Sequence, residues 1–299
     1  MPNTLMHLGA QGLVSKVVFR NADVKWIYLG AVVPDIPWII NRVFQPVLSA
    51  SAVYDLILYA AIQSSLIFCL VLSAALSALS SRPWRVFMIL AFGSLLHLLL
   101  DACQTKWGNG VLLFAPFSWD LLNFGLFWPA SALTMVATGL GAVFFIYAWF
   151  RFPVTVSSLA APSGGAALVF AVAILLFFLL PLVLMPTVKE TGIHSVSTLQ
   201  TPSQRAGKSV TFDRVPYIHR AGQDYIRTVS GEELRVVGVG HVGNGHVSIK
   251  GYFVDQKSVV IEALHVSSAA VRDYASYLGL VLVVFTWGRS IRIRKTGTR

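Results

Sequence analysis

The chain has 299 residues, 56% of them hydrophobic and only 12% charged, with a mean hydropathy of +0.69. That balance excludes a soluble enzyme with an ordinary polar surface and marks an integral membrane protein. The net charge of +10 forms no single basic patch, which argues against nucleic acid as a partner. Lys and Arg instead fall in short clusters between apolar runs and in the tail Arg289–Arg299, the pattern of a chain oriented by its basic loops.

Leu5–Phe19 is apolar but carries His7, Gln11 and Ser15 at steps of four, a narrow polar stripe down one helix, with Gly9 and Gly12 offering small surfaces for close packing. Met1–Asn3 has no basic region and no cleavage site follows, so insertion is expected to depend on the first apolar segments themselves. Trp26–Ile40 is interrupted by Pro34-Asp35-Ile36-Pro37, which breaks helical bonding and leaves Asp35 inside the protein. Both segments are short against the ~20 residues of a full span, so partly embedded or re-entrant helices are predicted.

Ala52–Ser80 is the longest apolar segment and has its own stripe, Asp55, Tyr59 and Gln63. Such stripes serve either as packing contacts or as part of a site. Val86–Asp101 follows, with His97 and Asp101 four residues apart on one helical face. A Gly108-Asn109-Gly110 turn then leads into Trp107–Trp128, whose Trp107, Trp119 and Trp128 suit an interfacial hairpin. Pro129–Phe150 and Ala166–Met185 read as plain spans. Cys69 and Cys103 supply neither a disulfide framework nor zinc-finger spacing.

From residue 187 to 272 the composition turns polar. Glu232–Val242 and His246–Val254 flank Gly243-Asn244-Gly245, a hairpin signal, and Ser258–Val266 adds a third alternating run. A small all-β domain is predicted, barrel or sandwich, in which His241, His246 and His265 are ordinary strand or turn histidines. Tyr274–Gly288 is a last span before a basic tail. The predicted architecture is therefore an α-helical polytopic membrane protein in three parts: a helical membrane domain over 1–186, a β domain over 187–272, and a final span with its tail over 273–299. Placing Arg20/Lys25, Arg82/Arg85, Arg151 and Arg289–Arg299 in the cytoplasm gives about seven membrane segments and puts the β domain outside.

The same assignment brings His7, Asp35, Asp55, His97 and Asp101 to one level near the outer ends of their segments. An uncompensated Asp in the bilayer interior costs roughly 2.5–3.5 kcal/mol on insertion scales, so such residues are normally paired or functional. Neutral imidazole plus carboxylate is a ligand set for zinc or another divalent ion. His7, Asp35, His97 and Asp101 are the candidate metal ligands, and Asp55 or Asp120 the candidate catalytic base. The plain alternative is a set of interhelical hydrogen bonds.

At these residues the chain resembles the YdjM/YbcI-type family of bacterial inner-membrane, metal-dependent hydrolases. His7 matches the family's N-terminal His, and Leu29-Gly30-Ala31-Val32-Val33-Pro34-Asp35 its second motif. His97 and Asp101, with Gly108, Gly110 and Pro116-Phe117-Ser118, match its last. The resemblance covers the first half of the chain. Pro37 stands where the family has a second acidic residue, and the central His-Arg-Gly…Thr-His-Ser motif is missing, with Gln63 near its place. It implies a divalent metal, zinc foremost, and hydrolysis of an ester or phosphodiester of a lipid or other amphiphilic envelope precursor. Without the central motif, a mononuclear site and a relative without catalysis both stay open. The rival from another class is a non-catalytic membrane scaffold that presents the β domain to an envelope protein partner.

Overall fold

Side-chain caps and prolines set most of the helix boundaries in the computed structural model, which describes residues 3–152, 159–238, 240, 242–267 and 269–296. Asn3 opens α1 (Thr4–Val18) by accepting the N–H of Met6. Asp23 does the same for α2 (Val24–Val32) through Lys25. Pro34 then turns the chain through a tight 3-10 step, Val33–Asp35, into α3 (Ile36–Phe44). Ser49 caps α4 (Ala50–Gln63), Pro83 starts α6 (Pro83–Ala102), and Ser131 caps α7 (Ala132–Arg151). α5 spans Leu66–Ser77, α8 spans Gly165–Glu190, and the short α9 spans Val196–Gln200.

Among the described residues, four stretches have the length and apolarity to cross a membrane: Val24–Val47, Pro83–Ala102, Ala132–Arg151 and Gly165–Glu190. The single run read at Ala52–Ser80 is instead two helices, α4 and α5, bent by 73° at Ser64-Ser65, which together make a fifth, broken candidate. Trp38 Nε1 donates to the Ser64 hydroxyl at 3.1 Å at that bend. Trp107–Trp128 forms no helix; its ends are drawn together by a Val111/Leu122 bridge and by Thr105 N–H donating to the Phe127 carbonyl at 2.7 Å.

Five strands follow: β1 (Ser209–Arg220), β2 (Gln223–Arg227), β3 (Glu233–Val237), β4 (Gly245–Phe253) and β5 (Ser258–Ser267). They close into a barrel in the order β1-β2-β3-β5-β4. β1 and β2 meet at a two-residue turn of Ala221 and Gly222, both left-handed. β4 returns beside β1, the Greek-key step, and β3 runs parallel to β5. A barrel is therefore formed, not a sandwich. The hairpin expected around Gly243-Asn244-Gly245 does not form: β3 ends at Val237 and pairs with β2 and β5, while β4 pairs with β1 and β5. Closing the barrel requires those partners, and this outweighs the local turn signal.

The barrel is docked onto one end of the helices. A single apolar core runs from Leu58, Phe68 and Leu98 in the bundle to Phe212, Ile249 and Phe253 in the barrel. Trp128 stacks on His265 with ring centres 3.6 Å apart, Gln45 donates to the Val229 carbonyl at 2.8 Å, and the Tyr54 and Ser230 hydroxyls are 3.1 Å apart. A cluster of basic residues lies at the other end. There Lys16 lies over the Phe152 ring, Lys25 donates to Ser290 at 3.0 Å, and Arg289 covers Trp149. α10 (Ala269–Thr296) returns from the barrel to that end along α1 and α2.

Candidate metal centre

Two glycines let the site form. Gly30 on α2 and Gly93 on α6 face each other so closely that a side chain on Gly93 would lie 3.0 Å from the Gly30 backbone. At this crossing the Ala31 carbonyl reaches His97 Nδ1 at 2.6 Å. A carbonyl can only accept, so Nδ1 carries the proton and donates it. The Pro34 turn swings Asp35 toward the same ring, with Oδ1 3.5 Å from His97 Nε2. Asp101, one turn further along α6, places Oδ1 3.7 Å from His97 Nε2.

α1 completes the group. Its first turns are sunk between α7 and α10, where Gly9 meets Gly141 and Gly279 meets Thr4 and Leu5. His7 thereby stacks on His97 with ring centres 3.9 Å apart and planes 11° from parallel. His7 Nε2 is 3.2 Å from Asp101 Oδ1, and Gln11 lies 3.5 Å from His7 Nδ1. His7, His97 and Asp35 are buried, and Asp101 is partly exposed.

The electrostatics demand a positive charge here. His7 Nε2 and Asp101 Oδ1 are solvent-excluded and have each other as their close polar contact at 3.2 Å, while Asp35 Oδ2 is solvent-excluded without a hydrogen-bond partner, a costly arrangement in a medium of low dielectric. Lys106, which sequence reasoning missed, pairs with Asp101 Oδ2 at 3.0 Å. It is one cation against two carboxylates. Either an imidazole takes up a proton or a cation is shared. The ligand atoms of His7, His97 and Asp101 all lie within 4.8 Å of one another. Both Nε2 atoms turn toward the Asp101 carboxylate, and the Ala31 contact fixes the tautomer that ligation by His97 needs. The residues fit a divalent ion, with three protein ligands and a position left open.

Of the sequence candidates, His7, Asp35, His97 and Asp101 come together; Asp55 and Asp120 do not join them. Asp55 sits on α4, bound to Lys189 at 2.7 Å and Gln200 at 3.0 Å. With Tyr59 and Gln63, which donate to the Phe178 and Phe177 carbonyls, it ties α4 to the α8 end. Asp120 accepts from the Ser118 hydroxyl in an exposed turn. His241 lies outside the described residues.

A cavity of about 260 Å³ opens between the bundle and the barrel. Asp35, His97 and Asp101 line one side, while His194 and residues 211–215 of β1 line another. His194 precedes α9, and burial pushes its pKa down to about 4, partly opposed by a hydrogen bond to Gly108 and by Asp213. Neither His194 nor Arg214 carried a sequence signal, because both are brought to the cavity by local backbone geometry rather than by spacing. Comparison with protein-family models, curated proteins and solved structures finds no match to this chain.

Proposed function

We propose that the protein is a membrane-embedded, metal-dependent hydrolase acting on an ester or phosphodiester of a lipid or envelope precursor. The reading is carried by one observation: two imidazole nitrogens and a carboxylate oxygen converge within 4.8 Å of one another beside a cavity. The resemblance of the first half of the chain to the YdjM/YbcI-type hydrolases agrees with it. His7, His97 and Asp101 would hold the ion, zinc foremost. When bound, such an ion supplies acidity to a water molecule at neutral pH and positive charge for the developing oxyanion.

The remaining roles belong to the chain's own residues. Ala31 holds the His97 ring through its Nδ1 proton. Lys106 fixes one oxygen of Asp101. Asp35 lines the cavity with Oδ2 unpartnered and is the base in place of Asp55 or Asp120. It accepts a proton from the attacking water and returns it to the leaving alcohol, so that water is added across the cleaved ester bond. Seven membrane segments follow if α1, α2–α3, α4–α5, α6, α7, α8 and α10 are each counted once. With the basic end in the cytoplasm of a bacterial inner membrane, the centre and the barrel are extracytoplasmic.

The test is metal content of the full chain in detergent beside His97→Ala and Asp35→Ala. About one tightly held ion per chain, lost in His97→Ala together with hydrolysis of lipid phosphoesters, is expected. A folded wild type that takes up no zinc or manganese overturns the reading. The charge count favours the second reading in that case, since one protonated imidazole with Lys106 neutralises both carboxylates. The protein is then a scaffold presenting its barrel to an envelope partner.

A further inference from the structure

β1 does not pass the bundle evenly. Its register against β4 slips between Phe212 and Val215, and within the slip Arg214 adopts left-handed backbone at φ 52. Bulges re-aim side chains and recur beside active sites. A non-glycine residue held in this conformation is strained and persists only where its surroundings impose it. The bulge here is part of the cavity wall that faces Asp35, His97 and Asp101. On the adjoining connection His194 and Ser195 are also left-handed, at φ 54 and φ 55. The Ser195 hydroxyl accepts the Thr211 N–H at 3.4 Å and so ties the two segments together. Two of these strained residues, His194 and Arg214, line the cavity, and Ser195 adjoins it.

The Arg214 side chain has one ion-pair partner, Asp213, and no side-chain hydrogen bond among the described residues. Its Nε is solvent-excluded and has no hydrogen-bond partner among the described residues. Asp213 Oδ2 lies 3.7 Å from Nε, beyond hydrogen-bond reach, and Asp213 Oδ1 is engaged by the Ser248 hydroxyl at 3.1 Å. Arg214 nevertheless lines the cavity with its side chain 17% exposed, and a guanidinium so placed matches an oxyanion, which it can bind through two parallel hydrogen bonds. Arg42 and Lys106 line the same cavity, as do the apolar Trp38, Ile57 and Leu98. Beside it, α3 and the turn after it expose Val43, Phe44 and Val47.

We propose that the barrel supplies an anion-binding subsite centred on Arg214, across the cavity from the metal centre, which takes the phosphate of an amphiphilic phosphate ester. The inference rests on the hydrolase reading and narrows its substrate from esters in general to phosphate esters with an apolar tail. It makes the barrel one wall of the site.

The experiment is equilibrium binding of dihexanoyl phosphatidate, uncharged dihexanoylglycerol and inorganic phosphate to the full chain in detergent, with metal content measured on the same samples. Phosphatidate is expected to bind wild type about tenfold or more tightly than Arg214→Gln, with part of the loss recovered in Arg214→Lys and metal content unchanged. Equal binding by Arg214→Gln, or equal binding of the uncharged glyceride, overturns the subsite. Inorganic phosphate binding as tightly as phosphatidate overturns the amphiphile and identifies free phosphate as the ligand. On wild type alone, phosphatidate is expected to slow phenylglyoxal modification of Arg214, read by peptide mass spectrometry, and an unchanged rate also overturns the subsite. Arg214-dependent binding in a chain that takes up no metal removes the hydrolase reading and leaves the subsite. Metal uptake with binding indifferent to Arg214 does the reverse.

Discussion

His97 gives its Nδ1 proton to the carbonyl oxygen of Ala31 across 2.6 Å, a contact between two helices that exists only because glycine stands on both sides of their crossing. The Nε2 nitrogen, which faces Asp35 and Asp101, is thus oriented by a backbone group that no side-chain substitution removes directly. It can be reached through the crossing itself.

Gly93→Ala places a methyl 3.0 Å from the Gly30 backbone and 3.3 Å from Gln11 Oε1. Backbone cannot swing aside, so α2 and α6 must part by a few tenths of an ångström. Metal affinity is expected to fall about tenfold or more although no ligand is removed. Chelator competition measures this, with Gly139→Ala as the control, since nothing lies within 4 Å of a side chain there. Equal affinities in the two variants would sever the link between crossing and ligand.

Lys106→Met leaves Asp101 facing Asp35 without its cation. Removing one member of a buried pair costs about 3–5 kcal/mol, and partial exposure of Asp101 brings the expectation down to roughly 2–4 kcal/mol. A bound divalent ion offsets that loss, so zinc should raise the melting temperature of Lys106→Met more than that of wild type. Equal zinc-induced shifts would mean that Asp101 does not sense the ion.

His194 predicts a pH slope. The unfolded side chain takes a proton near pH 6.5, whereas the folded one, flanked by Lys106 and Asp213, refuses it until about pH 4. The unfolded state therefore binds more protons between those values. His194 contributes stability that is complete above pH 6.5 and is lost as the pH falls towards 4, by about 2–3 kcal/mol at most. Melting curves of wild type and His194→Gln at pH 7, 5.5 and 4.5, all with chelator present, should converge on acidification. Parallel curves would remove His194 as the cause.

Arg205 predicts where the barrel fails first. Its guanidinium, 1% exposed, meets Glu232 through two parallel bonds of 2.7 and 2.8 Å and also donates to the Leu199, Thr198 and Gln256 carbonyls. Glu232→Leu strands that charge and should cost about 3–5 kcal/mol. Arg205→Lys should also destabilise, because an ammonium cannot reproduce the fork. Denaturant unfolding followed through barrel-region signals checks both, and a Lys variant as stable as wild type would contradict the assigned geometry.

The legible part of the molecule was the part with a period. Apolar runs marked the helices, and steps of four marked His7 with Gln11 and His97 with Asp101. Prolines marked the turn that carries Asp35. Where periodicity breaks, the sequence was silent or misleading. A bulge interrupts alternation at Asp213-Arg214, so the strand there carried no clear pattern. Gly243-Asn244-Gly245 is good turn chemistry between strands that turn out not to be neighbours, because barrel closure is decided by partners far away in sequence. Lys106, alone after a long apolar helix, was the one available hint of the charge balance at Asp101.

β5 ends at Ser267 and α10 begins at Ala269, so a strand of the barrel is followed in the chain by a 28-residue helix. Gly279 brings that helix against Thr4 and Leu5, one turn before His7. The helix that follows the last strand of the barrel is thus also one of the walls that seat the helix bearing the first histidine. The position of His7 therefore depends on an element that comes after the barrel, more than 260 residues further along the chain.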